Sequence, residues 1–140
     1  MSSIPLIRSS LILLAAAMLP AASTPIYPAH SLILFVASWC APCRAELRDI
    51  DRLIVLAAPA TLRVTPIDRT AATAAMLRSV APARIWRSAR AVDDFARQSA
   101  SLPFSLMTDA EGRACATHRR ALDRVAIEDL RRRCSAASAR

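Results

Sequence analysis

The stretch Leu32-Ile33-Leu34-Phe35-Val36-Ala37-Ser38-Trp39-Cys40-Ala41-Pro42-Cys43-Arg44-Ala45-Glu46-Leu47 decides how the rest of this chain reads. Leu32 to Val36 is a continuous apolar run, the pattern of a strand buried on both faces of a sheet. From Cys43 onward, Leu47, Ile50, Ile54 and Ala57 recur at helical spacing, with Arg44, Arg48, Asp51 and Arg52 on the other side. One helix is therefore expected up to Pro59, which ends it. The Cys pair falls between a central strand and the first turn of that helix. Two thiols so spaced can close a disulfide and reopen it, and the positive end of the helix dipole favours ionisation of the one beside it.

Working outward, Leu62 to Asp68 alternates weakly as Leu62, Val64 and Ile67 around Pro66, which predicts an edge strand. Strand, helix and strand in that order form a right-handed parallel crossover. Two helices are expected between Thr70 and Ser101. The first carries Ala72, Met76 and Val80, and the second, capped by Ser88, carries Val92, Phe95 and Ala96; Pro82 separates them, with Ile85 and Trp86 at the joint. Leu102-Pro103 leads into a strand at Phe104 to Thr108, Asp109 to Gly112 turns the chain, and Arg113 to Thr117 returns as an antiparallel hairpin. Asp123 caps a last helix with Ile127, Leu130 and Cys134 on one side, and the small, polar tail from Ser135 is expected to fray.

The 140 residues offer one domain, and a hydrophobic fraction of 54% is enough for a core. Part of that fraction lies at the start: Arg8 is the only charge before Arg44 and Glu46, and the apolar run Leu11 to Leu19 is too short to span a bilayer. Residues 1–23 therefore read as a secretory signal peptide with a cut after Ser23, and 24–140 as the mature domain. The alternative is an uncleaved anchor. The expected location is periplasmic or secreted, an oxidising compartment in which a Cys pair signals disulfide chemistry. The formal charge of +8 comes from arginine alone, for there is no Lys. These arginines are scattered among acids and only Arg131-Arg132-Arg133 forms a run, so no nucleic-acid partner is expected.

The segment from Leu34 to Leu47 resembles the active-site segment of thioredoxin-like proteins, and most nearly the secreted bacterial TlpA/ResA type of thiol-disulfide oxidoreductase. The resemblance implies an α/β fold: a minimal thioredoxin-like domain, a small mixed sheet with helices on both faces, lacking the N-terminal strand and helix of full thioredoxin. It implies Cys40 as the attacking thiolate and Cys43 as the resolving thiol, with Trp39, Pro42, Leu102 and Pro103 forming the substrate-binding surface. Pro103 corresponds to the family's cis-proline. By the same resemblance the protein is a monomer without a cofactor, reduces disulfides of protein substrates, serves cytochrome c biogenesis and is recharged by a membrane electron donor. Two departures stand out. Leu34 occupies the position of the buried acid that serves proton transfer in thioredoxin, and Arg48 stands where the helix usually carries a proline. Glu46 reads as a surface helix residue, with proton relay as the lesser alternative.

Cys115 and Cys134 complete an even count in a secreted chain, which makes a structural disulfide between them the leading expectation. Free buried thiols or a second redox pair are the alternatives. No metal site is expected: a zinc ribbon wants a second close pair of cysteines, and haem attachment wants His where Arg44 stands. Copper handling with His118 has only soft ligands to recommend it. The rival to an enzyme is a thioredoxin-like binding or metal-handling module whose Cys pair serves a ligand.

Overall fold

The computed structural model describes residues 24–98 and 101–139. The signal peptide assigned to residues 1–23 lies outside them. The central strand β1, Ser31–Val36, is buried at all six positions. It pairs in parallel with β2, Thr61–Pro66, and antiparallel with β3, Phe104–Thr108, which pairs antiparallel with β4, Ala114–His118. Among the described residues the sheet order is β2-β1-β3-β4, so the strand that carries Pro66 is at an edge.

Alternation along β1 divides the core into two. Leu32, Leu34 and Val36 join Leu53, Leu62, Val64, Ile127 and Leu130 on one face. Ile33 and Phe35 join Tyr27, Ala91, Phe95, Phe104 and Leu106 on the other. Helices α1 (Ala41–Arg48), α2 (Ile50–Ala57) and α5 (Arg124–Ser138) cover the first face, and α4 (Ala89–Arg97) covers the second. On the second face Phe35 stacks on Phe95 with ring centroids 5.2 Å apart, and both meet Phe104 at 5.5 Å. Tyr27 anchors the lead-in segment there by donating its hydroxyl hydrogen to Asp94.

Several expectations are corrected. The helix after the Cys pair is two helices, broken at Asp49 (φ −104°, ψ 17°), whose N–H is shared between the carbonyls of Ala45 and Glu46 at 3.2 and 3.1 Å. The break occurs without a proline. The helix expected to carry Val80 ends as α3, Ala71–Met76, and tightens into a 3-10 turn at Leu77–Ser79; Val80 is already extended, as is Ala81, where the following Pro82 disfavours helical backbone. The last helix holds its tail to Ser138.

The outer edge of β2 is occupied. The Trp86 N–H donates to the Val64 carbonyl at 2.9 Å, and the Thr65 hydroxyl donates to the Trp86 carbonyl at 2.9 Å. Arg84 reaches the Leu62 carbonyl at 3.3 Å and Arg63 the Ala83 carbonyl at 3.4 Å, so residues 83–86 supply partners that a further strand would otherwise provide. On the far edge, Arg133 donates to the Thr117 carbonyl at 2.8 Å.

Candidate functional site

The Cys pair sits where β1 ends. After Val36 the chain turns through Ala37 and Ser38, whose N–H donates to the Thr73 hydroxyl at 3.0 Å, and enters α1 at Cys40. Pro42 in the first turn suits a helix start, because its missing N–H is one the helix could not have used. Cys40 is the N-cap: its Sγ accepts the Cys43 N–H at 3.2 Å. A sulfur placed there meets unpaired backbone donors and the positive end of the helix, both of which favour a thiolate.

The two cysteines are joined as a disulfide, their Cα atoms 5.3 Å apart. Cys43 is fully buried, with Sγ 3.9 Å from the Phe35 carbonyl oxygen. Cys40 is the more accessible of the two, though only 4% exposed. Trp39 beside it is 65% exposed. Beyond Trp39, an open cleft of about 580 Å³ runs between Pro66 to Thr70 and Arg87 to Asp93. Burial acts to raise the Asp68 carboxyl in that cleft, but hydrogen bonds from Thr73, Thr70 and the Trp39 side chain outweigh it and hold it below its usual range.

Register brings the second half of the chain to the same place. Phe35 pairs with Phe104, so Leu102 and Pro103, which lead into β3, lie at the end of the sheet where β1 runs out toward Cys40. The Leu102–Pro103 peptide is cis, and so is Ala58–Pro59, where the sequence indicates only the end of a helix. Leu102 is half-buried and packs against both cores.

Glu46 is the residue that sequence reasoning misplaced. It is 7% exposed rather than on the surface, one turn after Cys43 on the same buried side of α1. Its Oε1 accepts the Leu122 N–H at 2.7 Å. Burial pushes its carboxyl up to about 7, against the pull of that N–H toward the charged form. Leu34 lies in the same core as Cys43, so this side of the sheet, lacking an acid on the strand, has one on the helix. The signal was the i, i+3 spacing from Cys43, which puts both on one face.

Cys115 and Cys134 are bonded, with Cα atoms 4.8 Å apart. Met107 pairs with Ala116 and Thr108 with Ala114, leaving Cys115 as the extra residue of a bulge. The bulge lets neighbours Cys115 and Ala116 both face the core under α5, which a regular strand forbids.

No family model and no curated protein matches this chain. Solved structures do. The pneumococcal exposed lipoprotein thioredoxin from Streptococcus pneumoniae superposes with a TM-score of 0.57 at 19% identity, over 76% of this chain and 87% of that one. A thio-disulfide isomerase from Thermus thermophilus gives 0.54 at 21% identity, over 71% and 74%. A thioredoxin-related protein from Neisseria meningitidis serogroup B gives 0.54 at 17% identity, over 81% and 88%. The fold is thioredoxin-like.

Proposed function

We propose that this protein is a thiol-disulfide oxidoreductase of the cell envelope that reduces disulfides of protein substrates through Cys40 and Cys43. The observation that carries this reading is the Cys40 sulfur serving as the N-cap of α1, 3.2 Å from the Cys43 N–H, with the second sulfur buried beneath it. Structural neighbours named as a putative thiol:disulfide interchange protein, from Chlorobium tepidum, and as a thio-disulfide isomerase support it.

In the reduced protein the Cys40 thiolate attacks one sulfur of a substrate disulfide. That S–S bond breaks, a mixed disulfide forms, and the departing sulfur leaves as a thiolate that takes up a proton. Cys43 then gives up its proton and its sulfur attacks Cys40 Sγ, expelling the second substrate thiolate and closing the intramolecular disulfide. Two electrons pass to the substrate, and a membrane electron donor restores the dithiol. Cys43 is buried, so its proton needs an acceptor inside the fold, and a carboxyl that titrates at about 7 one helical turn away is suited to it. By this reading Trp39, Pro42, Leu102 and Pro103 form the surface on which an extended substrate segment rests. Apocytochrome c is the substrate to which the TlpA/ResA resemblance points.

An insulin-reduction assay tests this with wild type, Cys40→Ser and Cys43→Ser. Both substitutions abolish turnover, and Cys43→Ser accumulates a mixed disulfide visible by mass. Activity insensitive to both changes defeats the proposal. The reductase direction is read from the Cys40/Cys43 potential against glutathione, where about 30 mV corresponds to 1.4 kcal/mol; a strongly oxidising value reverses the role.

A further inference from the structure

The ion pairs of this protein avoid one end of it. Among the described residues they are Arg52 with Asp49, Arg97 with Asp94, Arg113 with Asp109 and Glu111, and Arg132 and Arg133 with Asp129. None involves the arginines that the topology gathers where β1 ends and Cys40 stands. Arg44, in the first half of α1, donates to the Ser38 carbonyl at 2.6 Å. Arg69 follows β2 and Arg87 precedes α4, both lining the cleft beside Asp68. Arg119 follows β4 and lies over the Phe104 ring, 5.6 Å from its centroid and one residue past Pro103; Arg120 is next. All five are exposed.

The carboxylates at this end, Asp68, Asp93 and Asp123, offset them only in part, three negative charges against five positive. Asp123 is committed to capping α5 through the Ala126 N–H at 2.7 Å, and Asp68 to Thr70 at 3.1 and 3.0 Å. Asp93, on the cleft wall, is left. Five exposed arginines on four separate segments that meet at the Cys40 end of the sheet thus make no ion pair, and the balance of charge there is positive. Such a field raises the local concentration of negative charge, and guanidinium binds carboxylate in a two-pronged geometry.

Resting on the oxidoreductase reading above, we propose that this end is a docking surface for acidic polypeptide, with the substrate's cysteine flanked by aspartate or glutamate side chains that pair with Arg44, Arg69, Arg87, Arg119 and Arg120. An anionic bilayer shares the charge. The position of the sulfur inside the patch favours a protein, since only a partner sulfur gives Cys40 something to exchange with.

The test compares reduction of two peptides that share one disulfide-bonded cysteine pair, one flanked by Asp and Glu and the other by Lys and Arg. At an ionic strength of about 10 mM the acidic peptide reacts about tenfold faster, and the ratio falls to about one near 1 M salt, where screening is nearly complete. Replacing Arg69, Arg87, Arg119 and Arg120 together with Gln brings the low-salt ratio toward one, each single substitution moves it part of the way, and Arg113→Gln with Arg132→Gln leaves it in place. Equal rates for the two peptides, or faster reaction of the basic one, overturn the proposal. Equal rates together with arginine-dependent cosedimentation on phosphatidylglycerol vesicles overturn it in favour of a membrane contact. Bis(2-hydroxyethyl) disulfide, which is uncharged, separates the two levels: if it is exchanged and the peptide ratio is one, only the docking surface falls, and if it is not exchanged the oxidoreductase reading falls as well.

Discussion

Replacing Glu46 with Gln should make the protein more stable at pH 8 and leave it nearly unchanged at pH 4.5. In the folded chain the carboxyl is buried and titrates at about 7; in the unfolded chain it returns to 4.5. Between those values the folded state holds a proton that the unfolded state has released, so the contribution of this group is complete below about 4.5. It declines as pH rises and is gone by about 7. At 1.36 kcal/mol per pH unit the interval corresponds to roughly 3 kcal/mol. Gln keeps an oxygen for the Leu122 N–H, now at 2.7 Å from Oε1, but cannot ionise. The variant should therefore exceed wild type by about 2 to 3 kcal/mol at pH 8 and agree with it to within about 1 kcal/mol at pH 4.5. Urea unfolding of the oxidised protein at intervals across this range measures it. The aspartates held low, Asp68, Asp94 and Asp109, contribute stability above the ordinary carboxylate range and lose it only in stronger acid, so they do not confound the window. Stability curves for wild type and variant that run parallel from pH 4.5 to 8 would refute the reasoning. If Glu46 takes the Cys43 proton, the variant also loses the limb near pH 7 in the rate of mixed-disulfide resolution.

Changing both Cys115 and Cys134 to Ala should cost about 3 kcal/mol by denaturant unfolding, since their bond spans 19 residues; an unchanged midpoint refutes a stabilising role. Tyr27→Phe should cost about 1 kcal/mol by removing the hydroxyl that donates to Asp94, and a neutral result there means that the lead-in segment is held by packing alone. Gly112→Ala should cost about 2 kcal/mol or more, because φ is +74° and the added carbon overlaps the Tyr27 carbonyl oxygen and comes within 3.1 Å of Pro25 Cβ. A thermal midpoint equal to wild type contradicts that.

What the sequence made legible was whatever depended on neighbours in the chain. The apolar run Leu32 to Val36, the edge position of Pro66 and the caps at Ser88 and Asp123 are local patterns, and each matches its element. The break at Asp49 was not legible, because no proline or glycine marks it. The burial of Glu46 was legible only as far as its i, i+3 spacing from Cys43, which puts it on the buried side of the helix; its partner, Leu122, is 76 residues away. Cys115 faces the core only because of a bulge, which depends on register with β3 rather than on composition. The ring of arginines has the same origin, since its members are far apart in sequence and meet only because four connections converge on one end of the sheet.

The backbone of residues 83–86 along β2 has a bearing on how this molecule lives among other proteins. Under the proposed function, the dithiol meets chains whose own strands are still unpaired. An open edge next to it would invite those chains to add by main-chain pairing, which is indifferent to side chains and slow to undo. With Val64 already engaged by Trp86 and Thr117 by Arg133, that mode of adhesion is blocked at these points on both sides. A client of the proposed reaction would then be retained by the covalent bond to sulfur and the contacts around it, and be free to leave when that bond is broken.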